Sequence, residues 1–257
     1  MENEKQASLE NSYFEVQASW GITKHMGGLK ATRELIELCR INKGKYVLDV
    51  GCGVGMTPCY LAQRYGCQVI GVDISEMMID KANERAKREG VEDRVTFRVA
   101  DARDLPFEDE LFDAVTVESV NVFFEEKQRA TSEYVRVTKA GGHVGLNETT
   151  WIKAPPAEMV EYVSRVQMEA LMADGWEELL TSAGLRDVVV RTYQFNVFRE
   201  GVNRVRRYGL AALLRASYRT LALYIKHPAS RTILKAAGAL PKGIFGYMGR
   251  GIYVGTR

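Results

Sequence analysis

Glycines and acidic residues recur just after the predicted strands, and their spacing suggests a site for a small molecule. The stretch VLDVGCGVGMTPC, residues 47–59, is an apolar run interrupted by Asp49 and followed by glycines at 51, 53 and 55. A glycine has no Cβ, so the backbone of this turn can pass close to a ligand. Further carboxylates, Asp73 and Asp101, follow the next two apolar runs. The pattern predicts a ligand held by backbone groups and carboxylates together.

The glycine spacing excludes two common nucleotide-binding turns. A dinucleotide fingerprint needs G-x-G-x-x-G, but here Gly55 comes one residue early and Met56 occupies the sixth place. A Walker phosphate loop needs Gly-Lys-Ser/Thr, which does not follow. A carboxylate at Asp49 would repel a pyrophosphate and suit a ligand with cationic groups. S-Adenosylmethionine, which carries an ammonium and a sulfonium, is such a ligand.

The elements that must position these residues alternate in type along the chain. Short β-branched runs predict strands at 45–50, 67–73, 94–100, 112–118, 142–149, 187–196 and 250–256. Helical patterns at 56–65, 75–89 and 125–139 fall between them; Ser75 is the expected N-cap of the second, and Lys139 is placed in the last turn of the third. A further helix is expected to begin at Asp174, in a capping box with Glu177. This rhythm is typical of a parallel sheet covered by helices, with the glycine turn at its carboxyl edge, where such folds bind ligands.

Residues 45–150 resemble the class I S-adenosylmethionine-dependent methyltransferases. VLDVGCGVG is similar to the first motif of that family, VIGVDIS (69–75) to the second, and VADARDLPF (99–107) to the third. FDAVTVESV (112–120) and YVRVTKAGGHVGLNE (134–148) match the fourth and fifth strands. Each motif is weak alone, but five in order at the right spacing are specific. A cofactor-binding domain that senses without catalysing is the alternative from another functional class.

The resemblance implies a cofactor and the residues that hold it. The cofactor is S-adenosyl-L-methionine, with S-adenosyl-L-homocysteine as product. Asp73 is the expected partner of the ribose hydroxyls, and Asp101 and Ala102 of the adenine ring. No metal-ligand spacing is present, so no metal is expected. The residues assigned to the cofactor are Asp49, Gly51, Cys52, Gly53, Gly55, Asp73, Ile74, Met78, Asp101, Ala102 and Glu118.

The resemblance also implies the fold and the division of the chain. The expected fold is α/β, a Rossmann-like sheet of seven strands with helices on both faces and helical insertions. The last strand is antiparallel and inserted between the fifth and sixth, so 250–256 should pair with 187–196. The expected division is a single domain over 1–257, with an N-terminal helical cap (1–44), a cofactor-binding core (45–150), a helical insertion (152–173) and a basic helical insertion (197–246).

Two residues are candidates for catalysis. Glu118 ends the fourth predicted strand beside the expected methyl position; it would act as a base for an acceptor that must lose a proton, or else orient the cofactor's ammonium group. His25 lies in the N-terminal segment that often closes over such sites, with a surface or capping role as the alternative. Asn147 and Glu148 end the fifth strand, where alternate side chains point to opposite faces. His143 is expected to be exposed.

Charge is unevenly distributed along the chain. Between Arg199 and Lys242 there are ten Lys or Arg and one acid, Glu200, so this segment has a net charge of +9. The whole chain has a net charge of +2, so the remaining residues together carry −7. Leucines and alanines interleave with these cations, and a basic amphipathic helix can lie on an anionic membrane surface. The alternative is a lid that covers the domain's own core. Nucleic acid is disfavoured because the aromatic residues are few and the rest of the chain is acidic.

Composition and the resemblance to particular methyltransferases give expectations for the location of the protein and for its methyl acceptor. No run approaches the roughly 18 apolar residues of a membrane span, and the N-terminal residues are too polar for a secretory signal. The four cysteines form no disulfide pattern. A cytoplasmic location is therefore expected, with peripheral membrane contact through 199–242. The Glu118-Ser119 pair is similar to sterol and tocopherol methyltransferases, whereas the glycine-arginine-asparagine pattern of the quinone enzymes is absent. The acceptor is therefore expected to be hydrophobic or amphiphilic: an isoprenoid quinone, a phenol or a lipid. A soluble amine, thiol or metabolite is the alternative, and no oligomeric state is predicted.

Overall fold

A computed structural model describes residues 25–195 and 240–257, together with the single positions 205, 209, 214, 215, 217, 218 and 222. Residues 1–24 of the expected N-terminal cap lie outside the described residues, and so does most of the basic segment 199–242. Within the described part of the chain, no helix is both long and apolar enough to cross a bilayer.

Helices and strands alternate from residue 28 onward. In chain order they are α1 Gly28–Leu38, β1 Tyr46–Val50, α2 Met56–Tyr65, β2 Gln68–Asp73, α3 Glu76–Glu89, β3 Val95–Val99, β4 Phe112–Glu118, α4 Lys127–Val137, β5 Thr138–Trp151, α5 Ala157–Arg165, β6 Leu171–Met172, α6 Ala173–Ser182, β7 Arg186–Gln194 and β8 Met248–Thr256. Short 3₁₀ turns occupy Asn121–Phe123 and Ile244–Gly246.

The strands form one twisted sheet in the order β3-β2-β1-β4-β5-β8-β7. The first five are parallel, and β8 lies antiparallel between β5 and β7. This confirms the Rossmann-like α/β fold and the inserted antiparallel last strand. The two-residue β6 also pairs in parallel with the end of β5, so the described sheet has eight strands rather than the seven expected.

Side chains of the parallel strands alternate between two apolar cores, one on each face. In β1, Val47 packs on one face and Leu48 and Val50 belong to the core on the other. Helices α1, α2 and α3 cover the first face and α4 and α6 the second; their inward residues include Leu35, Leu61, Ala82, Tyr134 and Trp176. Because the described helices cover both faces, the two ends of the central strands are the places open to a ligand in this part of the chain.

The ends of two helices differ from the sequence-based expectation. The expected N-cap of α3 is confirmed, since the Ser75 hydroxyl accepts from the Met78 N–H at 3.4 Å. The capping box of Asp174 and Glu177 is wrong: α6 begins at Ala173 after Met172, without a side-chain cap. Here β6 leads directly into the helix, so no cap residue intervenes. The placement of Lys139 in a helix is also wrong, because α4 ends at Val137 and β5 begins at the next residue.

Candidate functional site

One cleft lies at the carboxyl edge of the sheet, where β1, β2 and β4 end. It brings together nine of the residues predicted from the sequence, namely His25, Gly51, Gly53, Asp73, Ile74, Met78, Asp101, Ala102 and Glu118. Seven further lining residues were not predicted. Four lie in the loop after β4, namely Ser119, Val120, Phe123 and Phe124, and the other three are Val50, Val54 and Ala100. Residues separated by almost a hundred positions therefore face a single space.

Three residues assigned to the cofactor, Asp49, Cys52 and Gly55, do not line this cleft. Asp49 is buried within the sheet, where it accepts a hydrogen bond of 2.6 Å from the Thr116 hydroxyl, and burial raises its pKa. Cys52 is buried and donates its backbone N–H to the Val72 carbonyl oxygen at 2.9 Å. Both residues bond to neighbouring strands and lie behind the wall of the cleft. A direct contact between either of them and a ligand therefore remains a prediction.

The glycines of the turn are required for two different reasons. All three adopt positive φ, at 66°, 52° and 75° for Gly51, Gly53 and Gly55. A Cβ on Gly55 would lie 2.7 Å from Phe97 Cζ and 2.9 Å from Ala82 Cβ, both in the protein core. The third glycine therefore permits close packing of the start of α2 against α3 and β3. Contact between Gly55 and a ligand remains a prediction.

This packing role predicts a large loss of stability for Gly55→Ala. Backbone strain at positive φ and overpacking against Phe97 together should lower the free energy of unfolding by about 2 to 4 kcal/mol. Gly90→Ala is the matched control, because Gly90 also has positive φ but no atom would lie within 4 Å of its Cβ. Strain alone should cost that variant about 1 to 2 kcal/mol. Urea denaturation measures both, and equal losses would contradict the packing role.

Asp73 connects the glycine turn to the start of α3. Its Oδ2 accepts from the Gly53 N–H at 2.9 Å and its Oδ1 from the Ser75 N–H at 3.0 Å. Burial raises the pKa of Asp73, while these backbone donors oppose the rise. Asp101, across the cleft, is held by Arg103, whose guanidinium lowers the pKa of that carboxyl. Two oriented carboxylates thus face the cleft from adjacent loops.

Glu118 lies at the centre of a buried polar cluster formed by four elements. Its Oε1 accepts from the Thr57 hydroxyl at 2.9 Å and its Oε2 from the Asn147 amide at 2.9 Å. The Thr32 hydroxyl lies 3.1 Å from both oxygens. Because several donors already surround this carboxylate, it is well suited to orient its neighbours and to present negative charge to the cleft.

His25 is the fourth partner of Glu118. Its Nδ1 lies 3.3 Å from Glu118 Oε2, and the two side chains are 1% and 6% exposed. Its Nε2 lies 3.4 Å from the Thr32 hydroxyl. The pair lines the cleft, so the alternative of a surface histidine does not describe the structure. The Asn147 amide nitrogen also lies 3.4 Å from Nδ1, so both ring nitrogens have polar neighbours, and the carboxylate of Glu118 favours a proton on Nδ1.

Adjacent residues of β5 serve opposite faces, as strand geometry requires. Asn147 joins the cluster around Glu118, whereas Glu148 Oε1 accepts from the N–H groups of Val120 and Asn121 at 3.0 and 2.8 Å. Glu148 therefore fixes the loop that forms one wall of the cleft. Its Oε2 is buried without a hydrogen-bond partner among the described residues, and burial raises the pKa of Glu148 to about 8.

This raised pKa predicts a loss of stability in base. The usual value is 4.5, so protonation favours the folded state; the stabilisation is complete below that value and is lost as the pH rises through about 8. Glu148→Gln keeps an oxygen acceptor but cannot ionise, and its free energy of unfolding should vary less between about pH 5 and 9. The exposed Glu108→Gln is the control. Parallel pH profiles for wild type and Glu148→Gln in urea denaturation would refute the assignment.

The residues that sequence reasoning missed are small polar groups within apolar patterns. Thr32 lies on the buried face of α1 between Ala31 and Leu35, and Thr57 lies in the first turn of α2. A threonine inside an apolar helix face is the available signal, because a buried hydroxyl needs a partner. Only the tertiary structure shows that this partner is Glu118 for both.

Comparisons with known proteins agree with this geometry. A family model described as a methyltransferase domain matches residues 48–146. Phosphoethanolamine N-methyltransferase 1 of Arabidopsis thaliana is 32% identical over 70% of this chain and 37% of its own length. The chloroplastic tocopherol O-methyltransferase of the same organism is 38% identical over 42% of this chain and 31% of its own.

A solved structure shows the same fold at lower identity. Phosphoethanolamine N-methyltransferase 2 of Haemonchus contortus, in complex with phosphomonomethylethanolamine and S-adenosylhomocysteine, has a TM-score of 0.68 and 22% identity, covering 92% of this chain and 55% of its own. This chain spans between 37% and 66% of the length of the first three curated relatives that it matches.

Proposed function

Because this chain belongs to the class I S-adenosylmethionine-dependent methyltransferases, we propose that it methylates an apolar or amphiphilic small molecule whose accepting atom must lose a proton. A phenol, a quinol or a lipid-like acceptor fits this description. The observation that carries the proposal is the buried His25–Glu118 pair beside an apolar wall of Val120, Phe123 and Phe124.

The cleft residues fit the cofactor of this family. Asp73, Asp101 and Glu118 give the cleft a negative lining, and no Lys or Arg belongs to the lining among the described residues. This charge suits a ligand with an ammonium and a sulfonium. Ile74, with 54% of its surface exposed, offers an apolar face beside Asp73. We assign the ribose hydroxyls to Asp73 and the adenine ring to Ile74, Met78 and Ala102. When bound, the cofactor supplies a sulfonium methyl group for in-line displacement.

The chain's own residues would act on the acceptor. Nε2 of His25 would accept the acceptor's proton while Glu118 holds Nδ1 and stabilises the imidazolium that forms. Val120, Phe123 and Phe124 would exclude water from the acceptor, and the Glu148 carboxyl keeps their loop in place. Holding the acceptor in line with the methyl group can contribute roughly 7 to 11 kcal/mol to lowering the barrier. An amine or an ionised thiol would not need the base.

A water-soluble amine is the second candidate, because relatives of this chain are named for phosphoethanolamine. Against it, the described lining of the cleft has no cation for a phosphate group. Isotopically labelled S-adenosylmethionine, supplied with a panel of phenols and quinols or with ethanolamine and phosphoethanolamine, separates the two. We expect label in the phenol or quinol products. Label only in the amines would overturn the proposal, and cofactor binding without transfer to any acceptor would indicate a sensor.

We further propose that the acceptor reaches the cleft from a membrane surface, with the basic segment 199–242 in contact with anionic lipid. Its ten cations support this, since each Lys or Arg near an anionic surface contributes about 1 kcal/mol. Arg204, Arg206 and Arg207 changed together to Gln should reduce co-sedimentation with anionic vesicles. Equal sedimentation of the variant and wild type, or none by wild type, would leave a lid as the role of the segment.

A further inference from the structure

A second cavity lies at the amino edge of the sheet, opposite the cleft. It has a volume of about 330 Å³, within the range of roughly 300 to 1,000 Å³ found for small-ligand sites. Its charged residues come from three separate places: Arg40 after α1 and Lys45 before β1, Asp113 at the start of β4, and Lys139 and His143 near the start of β5. The cavity shares no residue with the cleft.

The charges around this cavity do not balance. Asp113 is the single carboxylate of the described lining, and three cations surround it. Its Oδ2 accepts from the Tyr46 N–H at 2.8 Å, while its Oδ1 lies 3.3 Å from Lys139 Nζ and 3.8 Å from Lys45 Nζ. Two ammonium groups therefore share one oxygen, and Arg40 forms no ion pair with any residue that the structure describes. The lining carries +2 with His143 neutral.

The loop that carries Arg40 contains a left-handed residue and a side-chain hydrogen bond. Arg40 itself has φ of 50°, and its carbonyl oxygen accepts from the Asn42 side chain at 3.0 Å. His143, predicted from the sequence to be exposed, is instead half-buried in the wall of the cavity. Burial, and next the charges of Arg40 and Lys45, lower the pKa of His143. The pKa of the imidazole therefore depends on two of the cations that line the cavity.

We propose that this amino-edge pocket binds a phosphate-type oxyanion, either free or as the head of a larger phosphate ester. Arg40 supplies a planar set of donors that matches such oxygens, and Lys45 and Lys139, from other parts of the lining, supply point charges. Asp113 keeps both lysines in place without neutralising the third cation. The pocket is independent of the proposed methyl acceptor, because it lies at the other end of the strands.

The experiment uses the full chain, inorganic phosphate and sulfate, with His143 observed by NMR. Its signals are assigned by their loss in His143→Gln. At constant ionic strength set with chloride, sulfate keeps its charge between about pH 5 and 8, where histidine titrates. A bound anion stabilises the imidazolium, so the pKa of His143 should rise to a plateau with added sulfate. Calorimetry should show phosphate binding that weakens roughly tenfold or more in Arg40→Gln and in Lys139→Gln.

Lys87→Gln is the matched control, since it removes one exposed cation on α3, away from the cavity. It should bind phosphate as wild type does, and thermal melts report whether each variant is folded. No rise in the pKa of His143 when sulfate replaces chloride, or equal phosphate binding by Arg40→Gln and Lys87→Gln, would overturn the site. Competition between phosphate and phosphatidylglycerol vesicles, absent with phosphatidylcholine alone, would identify a lipid headgroup as the source; no competition would identify a soluble phosphate.

Discussion

Replacing His25 by alanine is expected to lower kcat about 10²- to 10⁴-fold, the range of a general base. The reason is geometric: Nδ1 lies 3.3 Å from a carboxylate that Thr57 and Asn147 hold, so Nε2 is directed by a fixed partner. The Kd of S-adenosylmethionine should change little, because the cofactor assignments lie on other residues. Single-turnover kinetics with a phenolic acceptor and calorimetry with the cofactor measure the two quantities separately.

Glu118→Gln distinguishes a base from a binding group. The variant keeps the shape of the side chain but removes the charge that stabilises the imidazolium of His25. We therefore expect kcat to fall and the rising limb of the plot of kcat against pH to move. Thr32→Val is a milder variant: it removes one hydroxyl that contacts both Glu118 and His25 Nε2, but it keeps both of those side chains. If His25→Ala keeps wild-type kcat with acceptors that must lose a proton, His25 has no catalytic role.

The second large effect is expected on cofactor affinity. Asp73→Ala should weaken binding of S-adenosylmethionine by about 1 to 3 kcal/mol, the loss expected when hydrogen bonds to a charged group disappear. The structure adds a further contribution, because Asp73 also accepts from the N–H groups of Gly53 and Ser75 and so positions the glycine turn. Calorimetric titration with cofactor measures the change.

Asp73→Asn separates these two contributions. Asparagine keeps one oxygen acceptor and loses the charge, so it should retain more of the turn's geometry than alanine does. Asp80→Ala, an exposed acid on the helix that follows, is the control for charge alone. Wild-type affinity in Asp73→Ala would remove the ribose assignment, whatever the effect on stability.

The regular elements were predictable because their patterns are local. β1 to β4 were placed within one residue of their observed bounds, and Ser75 and Gly90 at the ends of α3 follow from cap chemistry. The expected fold and cofactor class followed from the order of five motifs. A start of α6 without a cap was not predictable, because it depends on β6 pairing with the end of β5, a contact between residues 21 apart in sequence.

The interior of the site was less accessible to sequence reasoning. The carboxyl ends of neighbouring strands meet at one edge, so Asp73 and Glu118 could be placed near each other. Which donors surround Glu118 depends on the side-chain directions of Thr32, Thr57 and Asn147, and no periodicity encodes these. For Gly55 the spacing predicted ligand contact, but it does not encode the packing requirement that the structure adds, because a Cβ at this position would meet Phe97 and Ala82.

The position of β8 has a consequence for how the chain assembles during synthesis. The strands β1 to β5 can pair as soon as they leave the ribosome, but among the described strands β7 pairs only with β8, which comes more than fifty residues later. Until residues 248–256 have been synthesised, the edge of β5 that will pair with β8 exposes unpaired backbone groups to other chains. A nascent chain would therefore build its ligand cleft early and stay vulnerable to aggregation until its last strand closes the sheet.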